Sequence, residues 1–293
     1  MRRFLVFMVA IGLVLLVPGL PAVPEAVAAA PVHLQGNDSV EATQEVIDAF
    51  AVGVTAQEYR LVRPLYSKDV VYDDFAFNIH EGFGPYVMWK LRRDLRGVDG
   101  IRVLAARADR GWGVIEQRWD FDGGAIWVQA MTLFEISGGI VYEAWYYQDP
   151  LALLNGGPPE PTPLTSPPGV ADTAAAAEAV ALRYAAALQT KDAGSMAALS
   201  APRITFMDTA TGSLAGSPGQ VQATYAGIFR RPADLAFEDL RYVCGPGWAA
   251  VIWTASAESS RSSGEGATML EIRDGKIARE TLYYTCANVP FGM

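Results

Sequence analysis

The chain says the same thing twice, and that repetition constrains its fold more than any other feature. Val70-Val71-Tyr72-Asp73-Asp74 returns as Ile204-Thr205-Phe206-Met207-Asp208, and the Pro85 of Gly84-Pro85-Tyr86-Val87 returns as the Pro218 of Ser217-Pro218-Gly219-Gln220. Gly111-Trp112 returns as Gly247-Trp248, and Glu135-Ile136 as Glu271-Ile272. The stretch from Gly139-Ile140 to Tyr146-Tyr147 matches that from Gly275-Lys276 to Tyr283-Tyr284 with one inserted residue. The offset is roughly 133–137 residues and there are two copies, so a solenoid of stacked short repeats is excluded. Each copy is long enough to close a core of its own. Between them Pro150, Pro158, Pro159, Pro161, Pro163, Pro167 and Pro168, with Gly156-Gly157, read as a semi-rigid linker. The expected organisation is one domain over 38–150, a linker over 151–171 and a second domain over 172–293.

Within each copy helices come first and strands follow. Asp38 and Glu41 have capping-box spacing, and Val40, Val46, Ile47, Phe50 and Val54 give a partly helical apolar face. In the second copy the Ala-rich run from Ala174 to Leu188 carries Val180, Tyr184 and Leu188 four apart. A second short helix is expected near Glu58–Tyr66 and Asp192–Leu199, and a short strand over Val70–Phe75 and Ile204–Asp208. Pro at the first helical position opens a third helix, Pro85–Arg96 and Pro218–Phe229, with Ser217 and Gln220 adding a second capping box. The rest reads as strands joined by turns such as Gly138-Gly139 and Asp274-Gly275. They are Ile101–Ala108, Trp112–Phe121, Ala125–Ile136 and Ile140–Tyr147, then Ala236–Cys244, Trp248–Ala257, Ala267–Ile272 and Lys276–Tyr284. Helices followed by a meander make an α+β fold.

Composition removes several functional classes. Hydrophobic residues are 51% and charged residues 19%, which a disordered chain does not show. Net charge is −9 and no dense basic run exists, so no nucleic acid partner is expected. With two His, His33 and His80, a multi-histidine metal centre is unavailable, and neither metal nor cofactor is expected. No phosphate-cradling Gly loop or nucleophile elbow is present.

The amino terminus reads as a secretory signal peptide over residues 1–28. Met1-Arg2-Arg3 is basic, Phe4–Val17 is apolar, Pro18-Gly19 breaks the run, and Ala26-Val27-Ala28 offers a cleavage site. The apolar run falls short of the roughly 20 residues of a membrane span, so the expected product is secreted or periplasmic with no stable membrane insertion. In an oxidising compartment Cys244 and Cys286 either bridge or remain two small buried thiols.

The order helix–helix–strand–helix–meander, with the endings GGIVYEAWYY and DGKIARETLYY, resembles the SnoaL-like polyketide cyclase group of the nuclear transport factor 2-like superfamily. The resemblance spans both copies. It implies two cone-shaped domains, each a curved antiparallel sheet wrapped around three helices and enclosing an apolar pocket. Members include ketosteroid isomerases, limonene-epoxide hydrolases, scytalone dehydratases, polyketide cyclases and non-catalytic binding or assembly modules, and fold analogy does not choose among them. Sheets in this superfamily often pair, so intramolecular domain pairing or a homodimer is the implied assembly.

Several residues could carry chemistry. On a strand Tyr72 and Asp74 share one face and Asp73 the other. In similar steroid isomerases the base carboxylate lies near Asp74, and in limonene-epoxide hydrolases residues matching Tyr72 and Asp74 hold water. A carboxylate in an apolar pocket can serve as a general base near neutral pH, whereas one at a solvated strand end is ordinary. Glu116, Arg118 and Asp120 alternate onto one face; Arg118-x-Asp120 resembles the epoxide-hydrolase Arg-x-Asp, and the same pattern fits a salt-bridged ladder on the outer sheet face. That family's second Asp aligns with Trp145 here, and Glu143 lies two residues earlier. His80, near Asp74, could shuttle protons. Trp89, Trp127, Glu143 and Trp145 are candidates to line a site for a small apolar ligand; the aromatics equally suit a core or a pairing face. The second copy has Phe206, Thr254 and Ser256 in place of Tyr72, Arg118 and Asp120, so it reads as degenerate. The expected activity is cofactor-independent acid–base chemistry (isomerase, cyclase, dehydratase or epoxide hydrolase), small-ligand binding without turnover, or protein interaction through the sheet faces.

Overall fold

The computed structural model describes residues 29–75, 84–148, 169–285 and 289–290. The expected signal peptide, most of the linker, His80 and Cys286 lie outside the described residues. Among those described, no helix is long and apolar enough to cross a membrane.

A two-residue strand, β1 (Val32–His33), precedes the first half. There follow α1 (Val40–Thr55), α2 (Tyr59–Val62) continued by a 3-10 turn (Arg63–Leu65), β2 (Tyr66–Asp74), α3 (Gly84–Arg96), β3 (Gly100–Asp109), β4 (Trp112–Phe121), β5 (Ile126–Ser137) and β6 (Ile140–Tyr147). The second half repeats the plan with α4 (Ala174–Gln189), α5 (Ala193–Leu199), β7 (Ser200–Asp208), β8 (Leu214–Ala215), α6 (Pro218–Phe229), β9 (Ala236–Gly245), β10 (Trp248–Ala257), β11 (Ser262–Arg273) and β12 (Lys276–Tyr284).

The sheets run β2-β6-β5-β4-β3 and β1-β9-β10-β11-β12-β7-β8. The meanders are antiparallel as expected, but β2 joins β6, and β7 joins β12, in parallel. These partners are far apart in sequence, so no hairpin imposes the antiparallel direction. The amino-terminal β1 crosses over to pair with β9 of the second sheet. There His33 stacks on Tyr242 at 4.6 Å and lies 3.6 Å from Asp109 of the first half and 3.2 Å from Glu178 of the second.

One device recurs at the start of both halves. Ser39, not Asp38, caps α1 by accepting from the Ala42 amide, and Thr173 caps α4 through the Ala176 amide. The preceding Asp38 instead accepts from the Gly138 and Gly139 amides, and Asp172 from that of Gly275. A carboxylate thus ties the first helix of each half to the last hairpin turn of its own sheet. The second expected capping box also differs: Ser217 makes no side-chain cap bond, and Gln220 accepts from the Gly216 amide.

Each half closes a core between its helices and the inner face of its sheet. A Cβ at Gly113 would meet Ile47 Cδ1 at 2.1 Å, so glycine there lets α1 lie directly on β4. The outer faces of the two sheets pack on each other. Trp112, Val114, Met131, Leu133, Trp145 and Tyr147 meet Val243, Trp248, Ala250, Met269 and Tyr283 in a third apolar cluster. A buried polar network crosses this layer. Arg279 lies 2.5 Å from Glu116 and 2.8 Å from Glu271, while Tyr283 donates to Glu116 at 2.6 Å and accepts from Gln129. Tyr147 donates to Glu265, which also pairs with Arg241.

Candidate functional site

The site is built on α3, β2 and the inner face of β4. Along α3, Val87, Lys90, Leu91, Asp94 and Leu95 follow the three-and-four spacing of one helix face, which the fold turns inward. Along β4, Ile115, Gln117 and Trp119 alternate with Glu116, Arg118 and Asp120, so the first set faces the helices and the second the opposite side. Between these elements lies a narrow, partly open cavity of about 30 Å³. Its walls are mostly hydrophobic, with Phe50, Tyr66, Tyr72, Trp119 and Tyr146 supplying the aromatic part.

Lys90 is the positive centre of this wall. Its ammonium lies 3.1 Å from Asp74 Oδ2 and 2.5 Å from Asp94 Oδ2, and 5.3 Å from the ring centroids of both Tyr72 and Tyr146. Burial alone would favour the neutral amine, but the two carboxylates outweigh it and hold the pKa above the ordinary lysine value. Lys90 is therefore a cation at neutral pH, unfit to act as a base. Asp94 is shared: Arg93 bonds its other oxygen at 2.9 Å. The four charges alternate from exposed Arg93 inward through Asp94 and Lys90 to Asp74, which is 0% exposed. Tyr146 donates to Gln148, and burial raises its phenol far above the usual range.

Two polar atoms beside this centre have no hydrogen-bond partner although buried: Gln117 Oε1 and Trp119 Nε1. The amide nitrogen of Gln117 donates to Thr132 Oγ1 at 3.1 Å, and both residues line the cavity.

The structure separates the candidates read from the sequence. Tyr72 lines the cavity; Asp74 touches it only through Lys90, since it is not among the lining residues. Arg118 and Asp120 lie on the other face of β4. There Arg118 Nε bonds Asp120 at 2.6 Å, Arg102 reaches the same carboxylate at 3.2 Å, and the Arg118 guanidinium stacks 4.5 Å above Trp127. That is the salt-bridged outer ladder, so these three residues are not brought to Asp74. Trp145 stacks on Trp112 at 5.2 Å in the layer between the sheets. Glu143 is half-buried on the same outer face, its pKa raised by burial and by the carboxylates of Asp73 and Glu135. Trp89 is 56% exposed under the Arg93 guanidinium. Cys244 is a buried free thiol 3.9 Å from His33 Nε2, pushed up to about 12 by burial and by the Glu178 and Asp109 carboxylates. Among the described residues no group of three or more His, Cys, Asp or Glu side chains is placed to hold a metal ion.

Sequence reasoning missed Lys90, Asp94 and Gln117. The signal was present: a lysine inside the apolar stripe of α3 must find a carboxylate, and Asp94 stands four residues on.

In the second half no cation answers Lys90, because the matching position after Pro218 is Ala223. Its interior holds Tyr184, Tyr225, Phe206, Phe229, Phe237 and Trp253 instead. Asp208 is tied down by the Tyr284 hydroxyl at 2.7 Å and by the Ala210 and Thr211 amides. Glu280 is buried and accepts from Tyr184 at 2.8 Å and from Tyr225. Burial raises it to about 7, with the two tyrosines acting in the opposite direction. Between the ordinary glutamate value of 4.5 and about 7 the folded chain keeps a proton that the unfolded chain has released. This group's contribution is therefore most favourable below pH 4.5, declines as pH rises to 7, and is flat above. Glu280→Gln removes the decline. At pH 8 the variant should gain on the parent by about 3 kcal/mol relative to the same comparison at pH 4. Urea midpoints at the two pH values check this; equal differences at both would place the Glu280 pKa near its ordinary value.

The fold and cavity define a class: paired α+β domains in which a curved sheet wraps three helices, one half keeping an internal cavity. Residues 181–280 match the model of the SnoaL-like domain, so the second half is a SnoaL-like domain, and the first half repeats its order of elements. No curated protein matches the sequence. Among solved structures, similar chains include an LEH-like epoxide hydrolase from M. tuberculosis (21% identity, TM-score 0.33, 40% of this chain and 90% of that one). Another is a ketosteroid isomerase-like-fold protein from Catenulispora acidiphila in complex with trimethylamine (18%, TM-score 0.34, 39% and 92%). A third is an NTF-2-like protein of unknown function from Burkholderia xenovorans (16%, TM-score 0.33, 37% and 83%).

Proposed function

We propose that this protein is exported and binds a small, mostly apolar molecule in the cavity of its first half. The observation that carries this is five aromatic side chains enclosing one buried ammonium, the usual plan of a small-ligand site: apolar walls and a few placed polar groups. The second half, with Ala223 at the place equivalent to Lys90, serves as the packing partner that covers the outer face of the first sheet.

A second reading, acid–base turnover of the isomerase, cyclase or dehydratase type, draws support from the Asp74–Lys90 pair behind the wall. In it Lys90 is the donor that polarises a substrate oxygen, and Asp74 holds Lys90 in place. Epoxide opening through Arg118 and Asp120 draws no support, because both face away from the cavity.

The test is a thermal-shift screen of the mature protein against steroids, terpenoids, terpene epoxides and aromatic polyketides. At 100 times its dissociation constant a true ligand stabilises by about 2.7 kcal/mol, an easily measured shift. The expected result is a shift with one class. No shift with any class overturns the binding reading. Incubating a hit with protein and analysing it by chromatography separates the two readings: product that forms with the parent and not with Asp74→Asn establishes turnover, and unchanged ligand rejects it.

A further inference from the structure

We infer that the ligand of this cavity is electrically neutral and carries one hydrogen-bond donor and one acceptor side by side, as a carboxamide does. This rests on the binding reading above and adds the chemistry of the head group.

The charge argument comes first. A charged ligand buried in a site needs a countercharge there, because an unpaired buried charge is costly. The charges at this wall already satisfy one another. Lys90 is held by Asp74 and Asp94, Asp94 by Arg93 as well, and two tyrosine rings flank the ammonium. Two cations face two anions. A carboxylate ligand would have to compete with Asp74 and Asp94 for Lys90; an ammonium ligand would have to take a carboxylate from it.

The polar argument comes second. A buried polar group without a partner is destabilising, and native proteins leave few. Here two such groups line the same cavity from the same strand face: Gln117 Oε1, a pure acceptor, and Trp119 Nε1–H, a pure donor. Gln117 is 2% exposed, so bulk water does not serve its oxygen. The two residues are two apart on β4, placing their backbones about 7 Å from each other on one face. A group that donates an N–H to Gln117 Oε1 and accepts the Trp119 Nε1–H satisfies both at once. An apolar ligand body would then lie against Phe50, Tyr66 and Tyr72.

The experiment uses four molecules with one skeleton: benzamide, benzoate, benzylammonium and toluene, each titrated against the mature full chain by NMR. Benzamide should bind at least tenfold more tightly than the other three, since two hydrogen bonds at the ordinary net strength give about that factor. Gln117→Leu and Trp119→Phe should each cut this advantage to about threefold while toluene binding stays the same. Benzoate or benzylammonium binding as tightly as benzamide overturns neutrality and leaves the binding reading standing. Toluene binding as tightly overturns the head-group assignment alone. Binding by none of the four removes the small-ligand reading together with this inference. The comparison among ligands on the parent protein needs no variant, so a substitution that fails to fold does not protect the proposal.

Discussion

Arg279→Met is expected to destabilise the chain by about 3–5 kcal/mol, the range for removing one partner of a buried ion pair. Arg279 reaches Glu116 of the first sheet at 2.5 Å and Glu271 of its own sheet at 2.8 Å, closer than Arg107 and Arg273, each 3.9 Å from Glu271, and Arg279 and both carboxylates are buried. The two carboxylates hold its guanidinium above even its ordinary pKa although burial acts the other way. Methionine fills much the same volume and is apolar, so the loss is electrostatic: Glu271 keeps Arg107 and Arg273 at 3.9 Å, but buried Glu116 loses the cation at 2.5 Å and keeps the Tyr283 hydroxyl. Urea denaturation followed by tryptophan fluorescence measures the loss. Because Glu116 belongs to the first half and Arg279 to the second, the destabilisation should appear in both halves rather than in the second alone. Arg102→Met is the control. It removes an exposed partner of Asp120, for which less than about 1 kcal/mol is expected. A cost for Arg279→Met no larger than that of the control would mean that the network contributes nothing to the pairing of the halves.

The sequence anticipated this layer only in outline. The repeat and the period-two pattern placed most strands within a residue or two, because those signals are local and each strand has one face to bury. Four of the strand ranges, Trp112–Phe121, Ile140–Tyr147, Trp248–Ala257 and Lys276–Tyr284, agree with the structure throughout. What the pattern did not reveal was which apolar face looks inward, since both faces of β4 and β5 are buried, one by helices and one by the other sheet. Trp127 and Trp145 therefore read as cavity walls but lie on the outer faces of β5 and β6, while Trp119 lines the cavity from the inner face of β4. The same ambiguity left Arg118 and Asp120 with two readings, a catalytic pair or an outer salt-bridged ladder, and the structure shows the ladder. Asp74 was found because its strand had one clear alternation, yet its partner was not, because Lys90 lies across the chain on α3. Asp38 illustrates the converse error: a local motif fitted, but the carboxylate serves a hairpin turn a hundred residues on rather than its own helix.

The Lys90–Asp74 pair offers the sharpest test of the cavity as a built site. Lys90→Met is expected to cost about 3–5 kcal/mol, because Asp74, 0% exposed, loses the cation 3.1 Å away. Asp74→Leu should cost less, since Lys90 retains Asp94 at 2.5 Å and the rings of Tyr72 and Tyr146. The double variant removes both charges and leaves Asp94 paired with Arg93, so it should recover most of what Lys90→Met alone loses. A coupling energy of at least about 3 kcal/mol between the two positions is the expected outcome of that cycle. Simple additivity would mean that the two side chains do not interact in solution and that Asp74 is not what positions the ammonium. The asymmetry carries the functional point. A pair kept only for packing can be replaced by apolar residues without loss, whereas a pair kept for a ligand cannot. The double variant should therefore fold about as well as the parent and yet lose the thermal shift given by whatever class of molecule stabilises the parent chain. A double variant that is both stable and fully competent in binding would assign the pair to the fold and leave recognition to Gln117 and Trp119.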